Sequence, residues 1–448
     1  MENNNGMLTV ENSSQNSVKS LWITLFIYLS IFVNSYVLFA DPFEFYLGYL
    51  VYIVLLPVFI LRHGFNRSLV GVFLILLVTG VFNILLGNNT FPLFFKVFTG
   101  LLLSYFFYYY VILEFECNVE LLFKWYLKGA YITSVIGLFQ FFSFQIGFTP
   151  GYDYTWLFNK WGLATGGLFG IRINSILSEP AYIASLLSAA FFVSVYNIFR
   201  KEPVYLSRFK SAVIVVVYLL SFSSLGQSGI FLTLIMFAVS YGLVRYMIFI
   251  IPAVIILFNV LYQNVPEFKD RYDGLMGLYN GEEFKLGKTH GSSFILYNNY
   301  VVTKENFKSN FVFGTGIGSH PVAFEKYSLA KHIKVYGFSH NSADANSMLL
   351  RLISETGLFG TSIFLFIVFR FYVKRDEDRD TYHWLVSNGI FIMMALILFR
   401  QGHYFFNGFP FFVLLYIYNY LSYHGMIERK TEEEESTGQV ALQLPDKT

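Results

Sequence analysis

Cysteine is almost missing from this chain: of 448 residues only Cys117 carries a thiol, which removes disulfides and cysteine-rich metal sites from consideration. Charge is scarce too. Asp, Glu, Lys and Arg make up 13% of the residues, about half the usual share, and this excludes an ordinary soluble enzyme. The net charge is only +2 and no basic stripe marks a folded domain, so there is no footprint for nucleic acid. No repeat recurs at a fixed period. The cluster Gly314-Thr315-Gly316-Ile317-Gly318 lacks the Lys and the preceding buried strand of a phosphate cradle, and reads as a tight turn. Met1 to Lys19 is polar, and the apolar run after it is long enough to stay as a spanning helix, so no cleavable signal peptide is expected.

What the chain has in excess is apolar and aromatic surface: 55% hydrophobic, 20% aromatic, mean hydropathy +0.53. The composition implies an all-α polytopic membrane protein. Apolar runs suggest about twelve transmembrane helices. Their cores are Leu21–Ala40, Tyr46–Leu61, Leu69–Leu86, Leu93–Leu113, Trp125–Gly147, Ala181–Phe199, Ala212–Leu225, Ile230–Val244, Met247–Tyr262, Met348–Val373, His383–Phe399 and Phe409–Tyr423. The Ser221–Gly229 corner could instead be a break inside one bent helix. Five regions follow: a disordered cytoplasmic N-terminus (1–19), a membrane domain of nine spans (20–262), a large extracytoplasmic loop (263–346), three further spans (347–424) and a disordered acidic tail (425–448).

Lys and Arg set the orientation. With the N-terminus inside, the cytoplasmic connections hold Arg62, Arg67, Lys124, Lys128, Arg200, Lys201, Arg208, Lys210, Arg245, Lys374, Arg375 and Arg379. The short outer connections near Asp41–Glu44, Gly87–Pro92 and Leu225–Ser228 have neither residue. Two longer loops, Phe148–Ser178 and Gln263–Asn346, then fall outside, and loops of that length are usually functional. Within the second, Ser293–Phe307 has the spacing of an amphipathic helix, whose apolar face is expected to pack on the bundle.

Polar chemistry meets the membrane in His340–Gly360. Ser342, Asp344 and Asn346 are candidates to cap the helix that begins there. Arg351 and Glu355 lie one turn apart and can pair, and an ordinary ion pair would explain those two alone. With His340 beside them they form a set suited to acid–base work at a membrane surface. The other unusual ionisable residues, Arg172, Glu179, Arg400 and His403, also fall at outer helix ends, and Lys96 is read as snorkelling to the outer surface. Arginines kept outside against the positive-inside rule suit a lipid-linked anion, since the guanidinium fork binds phosphate oxygens in pairs. Arg172, Arg351 and Arg400 would then hold a pyrophosphate leaving group, with His340, or alternatively Glu179 or Glu355, as catalytic base. Asn341, His403 and Tyr404 are weaker candidates for sugar contacts. Tyr152, Tyr154, Trp156 and Trp161 suit sugar faces or an interfacial belt.

The run His340-Asn341, then Leu350, then Ser354-Glu355-Thr356-Gly357-Leu358-Phe359-Gly360 resembles the O-antigen polymerase and O-antigen ligase superfamily, with its His-Asn and Glu-x-Gly-x-x-Gly ending. Phe313–Gly318 is similar to the glycine turn that precedes it there, and Arg172–Ala181 to an earlier outside loop. The resemblance implies a C-type glycosyltransferase-like membrane fold in the bacterial cytoplasmic (inner) membrane, with its active site on the extracytoplasmic side. It implies a metal-independent, inverting transfer of glycan from undecaprenyl pyrophosphate, without a cofactor, during O-antigen, capsule or exopolysaccharide synthesis. The partners implied are the bilayer, the lipid-linked oligosaccharide and a chain-length regulator protein. The chain departs from many relatives in having no Arg at Ser224–Gln227 or at Gly291–Phe294, and Arg400 is the expected substitute.

Overall fold

The computed structural model describes Trp22 and residues 24–39, 44–243, 247–264, 266–280, 291–329, 340–376, 381–405 and 408–425. It is mostly helical. Residues 24–32 form α1. An antiparallel two-stranded hairpin follows, β1 (Val37–Phe39) and β2 (Phe45–Tyr46). Then come α2 (Leu47–His63), α3 (Arg67–Leu85), α4 (Phe91–Glu114), α5 (Val119–Gln145) and the single turn α6 (Thr149–Tyr152). A long irregular segment leads to α7 (Pro180–Phe199), α8 (Arg208–Leu220), α9 (Ser224–Ser240) and α10 (Met247–Asn264). Three helices occupy the region expected as one large loop: α11 (Pro266–Tyr279), α12 (Gly291–Ser309) and α13 (His320–Tyr327). The chain ends in α14 (Met348–Arg370), α15 (Thr381–Arg400) and α16 (Phe409–Tyr423).

Local chemistry sets the boundaries. Asn66, Asn118 and Ser347 each accept a hydrogen bond from a backbone N–H three residues on, and so cap α3, α5 and α14. Proline occupies the first turn of α4, α7, α13 and α16, where its missing N–H costs nothing. Six helices among the described residues, α3, α4, α5, α7, α14 and α15, are long and apolar enough to cross a membrane, and α2 and α9 are shorter apolar helices. The protein is a multi-pass membrane protein. Of the most apolar window, 78% is buried in α7 and 72% in α15, against 17% in α3, so α7 and α15 form the centre and α3 the lipid-facing rim. Small residues make that centre possible: a Cβ on Gly389 of α15 would lie 3.1 Å from both the Cβ and the carbonyl of Ala189 on α7.

The helix ends sort into two sets. At one end, which we term lower, Arg62 pairs with Glu114, Arg370 lies 4.9 Å over the Tyr420 ring, and Arg375 lies 4.1 Å over that of Tyr241. At the upper end the irregular segments knit together. Ser35 Oγ donates to the Ile176 carbonyl at 2.6 Å, the Asn159 side chain brackets the Val37 backbone, and the Ile173 N–H donates to the Leu220 carbonyl at 3.1 Å.

Four expectations are resolved. The first span, expected to run Leu21–Ala40, stops being helical after residue 32, because Ser35 and Val37 turn to pair with the Phe148–Ser178 segment. The Ser221–Gly229 corner is a true break between two helices: Phe222 has φ 43° and the Ser223 side chain caps α9. The cap of α14 is Ser347 rather than Ser342, Asp344 or Asn346. His340, Asn341, Ala345 and Asn346 all have φ between 49° and 59°, so the chain coils until it becomes extended at Ser347. Tyr154 and Trp161 are buried against each other, and the Trp161 Nε1–H donates to the Ser175 carbonyl, so neither ring faces a sugar; Trp156 is exposed.

Candidate functional site

The upper end of α14 is a lock between two glycine turns. Gly357 has φ 62° and ψ −160°, which kinks the helix and turns the N–H groups of Leu358 and Phe359 to the carbonyls of Phe311 and Val312. Opposite it, Gly314, Gly316 and Gly318 all have positive φ, and a Cβ on Gly314 would fall 2.4 Å from the Glu355 carbonyl carbon. The glycine cluster expected as a tight turn is thus a cradle for the Glu355–Gly357 backbone. It also holds the Glu355 side chain. Oε2 accepts from the Gly318 N–H and the Tyr404 hydroxyl, both at 2.8 Å; Oε1 accepts from Arg351 Nε at 2.9 Å and the His320 N–H at 3.3 Å. The Glu355 side chain is fully buried and that of Arg351 is 4% exposed.

This packing bears on two roles expected from the sequence. Glu355, expected as an alternative base, has both oxygens engaged and none exposed, so it serves as the hydrogen-bond acceptor that ties α14 to the glycine turn. Arg351 spends Nε on Glu355 and Nη1 on the Gly402 carbonyl at 2.8 Å, and stacks on Tyr404 at 4.4 Å. It acts as a strut between α14 and the segment after α15.

His340 sits in the coiled loop before α14. Four left-handed residues there cost about 1–2 kcal/mol each, so the loop needs outside support. Asn299 of α12 supplies part of it, donating from Nδ2 to the His340 carbonyl at 3.1 Å. With that amide nitrogen used as donor, Asn299 Oδ1 must accept, and it does so from His320 Nε2 at 2.9 Å. His320 on α13 is wholly buried; burial and the nearby Arg351 guanidinium, outweighing Asp344, push its pKa down to about 3. It is therefore a neutral, fixed donor. The His340 ring meets Phe294 edge-on, and its Nδ1 is buried with no hydrogen-bond partner among the described residues.

Beside His340 lies a second polar group. His403 Nε2 is 3.1 Å from Asp344 Oδ2. Burial alone would raise the Asp344 carboxyl, but His403, the Asn346 N–H and Arg351 together hold it well below the ordinary carboxylate range. Glu179 stands at the rim, open to solvent on one face. Its enclosure by protein on the other pushes its pKa up and Asp344 adds to this, against His403, Lys160 and Arg172. Lys160 contacts Glu44 and donates to the Tyr46 hydroxyl at 2.6 Å, and Lys96 lies within electrostatic reach of Glu44, Lys160 and Arg351.

The structure thus gathers Arg172, Glu179, Arg351, Glu355, His403 and Tyr404 at one end, with His340 and Asn341 on the loop that carries Asp344. Arg400 closes α15, half-buried, three residues before His403. Asn299, Asn306 and His320 escaped notice in the sequence. The available signal was Asn299, Thr303, Asn306 and Asn310, a polar stripe at helical spacing along a helix read for its apolar face. Between α9 and α15 runs a groove of about 480 Å³ lined by Gln227, Ser228, Phe231, Leu232, Leu396 and Phe399. Among the described residues no three His, Cys, Asp or Glu side chains converge as metal ligands. Comparison of the chain with protein-family models and with curated proteins finds no match.

Proposed function

We propose that this protein is a polymerase of lipid-linked oligosaccharide repeat units, a glycosyltransferase of about twelve spans with a C-type-like arrangement. It acts at the outer face of a bacterial cytoplasmic membrane. The observation that carries the reading is the gathering, at a single end of a membrane bundle, of Arg172, Glu179, Asp344 and His403 from three segments far apart in sequence. The lower end, with Arg62, Arg370 and Arg375, is taken as cytoplasmic. In this reading Arg172 and Arg400 hold the pyrophosphate of an undecaprenyl-linked glycan, and the α9–α15 groove accepts part of its apolar tail. A hydroxyl of a second glycan attacks the anomeric carbon. An imidazole or carboxylate removes its proton, His340 and Glu179 being the acceptors that the sequence suggests and the packing leaves in play. Asn341 and Tyr404 border the sugar, and a chain-length regulator would act on the same growing polymer.

The test is made in cells that produce the polysaccharide. Arg172→Ala and His340→Ala are expected to abolish polymer while single lipid-linked repeats accumulate facing outward. Repeats trapped facing inward would favour a transporter instead, and transfer of finished glycan to a separate acceptor would favour a ligase. Unchanged polysaccharide in both variants would contradict the reading.

A further inference from the structure

Beside the neighbourhood of Arg172 and Glu179 lies a second cluster of charge, and it does not balance. Lys160 pairs with Glu44, and Tyr46 joins them, its hydroxyl donating to Glu44 Oε2 at 2.6 Å and accepting from Lys160 Nζ at 2.6 Å. Burial alone would raise the Glu44 carboxyl, but Lys160 and Tyr46 hold it below the ordinary carboxylate range. Arg351 is balanced by Glu355. Lys96 is the charge left over. It lies within electrostatic reach of Glu44, Lys160 and Arg351, its side chain is exposed, and its ammonium takes no hydrogen bond or ion pair among the described residues.

The face of α4 that carries Lys96 is turned to the site. Gly100, one turn further along that face, leaves room for the Phe405 ring, since a Cβ there would fall 2.8 Å from it. Val97, the next residue, meets the glycine turn, with a methyl carbon 3.2 Å from where a Cβ on Gly318 would lie. Phe405 in turn meets the Tyr49 ring, which stands edge-on to Tyr46. An aromatic floor thus joins α4 to β2, with Lys96 one turn nearer the upper end and Lys160 over the Tyr46 ring at 5.1 Å. Lys96 is five residues into α4, about 8 Å from its start, which is headgroup depth. A lysine that only snorkels gains nothing from two like charges beside it, whereas an anion bound among them would offset their repulsion.

We propose that Lys96 anchors a second anion subsite, which takes the diphosphate of the acceptor glycan's lipid carrier; the assignment rests on the transfer reading above. In that reading Arg172 and Arg400 hold the donor's diphosphate. Joining two lipid-linked repeats brings a second diphosphate to the same face of the membrane, and the two anions repel unless each has its own cation. Lys96 belongs to the neighbourhood of Glu44 and Arg351, Arg172 to that of Glu179, and Lys160 reaches both. Lysine binds phosphate as a point charge on a flexible stem, so it holds the headgroup without fixing its orientation.

The experiment uses the full chain in phosphatidylcholine nanodiscs. The donor is a lipid-diphosphate repeat capped at its acceptor hydroxyl, and the acceptor is either an uncapped lipid-diphosphate repeat or the same repeat as a methyl glycoside. Lys96→Ala is expected to raise KM for the lipid-diphosphate acceptor about 10-fold, the worth of one charge-assisted contact. KM for the capped donor and for the methyl glycoside should stay within threefold, and Lys96→Arg should recover most of the loss. A KM within threefold for every substrate would leave Lys96 a snorkelling lysine and overturn the proposal. A rise for the capped donor would move Lys96 to the donor's site, and equal losses with both acceptors would make its role structural; either result overturns the acceptor subsite and leaves the transfer reading standing. Added phosphatidylglycerol tests the other source of phosphate: activity that requires it in the wild type but not in Lys96→Ala would assign the subsite to bilayer headgroups instead. If the wild-type protein joins no repeats, the transfer reading falls and takes the subsite with it.

Discussion

At the scale of single residues, much of the site's machinery is support. His320 is sealed in the core, and its neutral ring fixes Asn299 and through it the strained His340 loop. Because its folded pKa lies near 3, below the ordinary value for imidazole, its neutral form is fully compatible with the fold only above about pH 6.5. As pH falls below that, the unfolded chain binds the proton first and stability is lost, by about 2 kcal/mol at pH 5. Thermal unfolding followed from pH 7 to pH 5 is expected to show a smaller loss in His320→Gln than in the wild type; equal losses would contradict the assignment. Asn299→Leu should lower the unfolding temperature at every pH, since it leaves a buried imidazole N–H and a carbonyl unpaired at about 1–3 kcal/mol each. Sequence reading found His340, Arg351 and Glu355 because charge inside an apolar run is conspicuous. It did not find His320 or the asparagines of α12, because a buried polar group with a full set of partners looks, in sequence, like any loop or helix-surface residue.

At the scale of elements, the helices that run through long apolar stretches were legible, and the connections were not. A helix with the limits expected at the end of the chain, Phe409–Tyr423, is present as α16, and the stretch expected as the sixth span, Ala181–Phe199, differs from α7 by one residue. The first span failed where Ser35 and Val37 leave the helix to dock the Phe148–Ser178 segment, a tertiary contact that periodicity cannot register. The α14 kink is similar. Gly357 was read as part of a motif, whereas its left-handed backbone is what lets α14 join the Phe311–Gly318 turn. A Cβ there would sit 2.5 Å from the Val312 carbonyl oxygen, so Gly357→Ala should cost about 1–3 kcal/mol in strain alone. The check is the unfolding temperature of the purified variant, with Gly71→Ala in α3, where a Cβ meets nothing within 4 Å, as a helical control; a Gly357→Ala protein as stable as the wild type would remove the lock. Breaking the Arg351 strut has a larger expected effect. Arg351→Met leaves the Glu355 charge buried without its cation, at about 3–5 kcal/mol, and should reduce the yield of folded protein sharply.

At the scale of the whole molecule, the proposed transfer requires the two ends of the bundle to face different compartments. Arg62 and Arg375, which the positive-inside rule sets in the cytoplasm, meet Glu114 and Tyr241 at the lower end, and the ionisable set around Asp344 lies at the other. Cys117, the only thiol, belongs to the lower set, between α4 and α5. In a Cys117→Ser background, a cysteine at the exposed Trp156 should react with a membrane-impermeant maleimide in intact cells. One at Lys201 should react only after permeabilisation, and the reverse pattern would invert the topology. The measurement that tests the central claim most directly is incubation of the purified protein in nanodiscs with a defined lipid-diphosphate-linked repeat unit, resolving the products by length. A ladder of joined repeats that disappears in Arg172→Ala is the result expected, and unextended repeat units from a folded wild-type protein would contradict it.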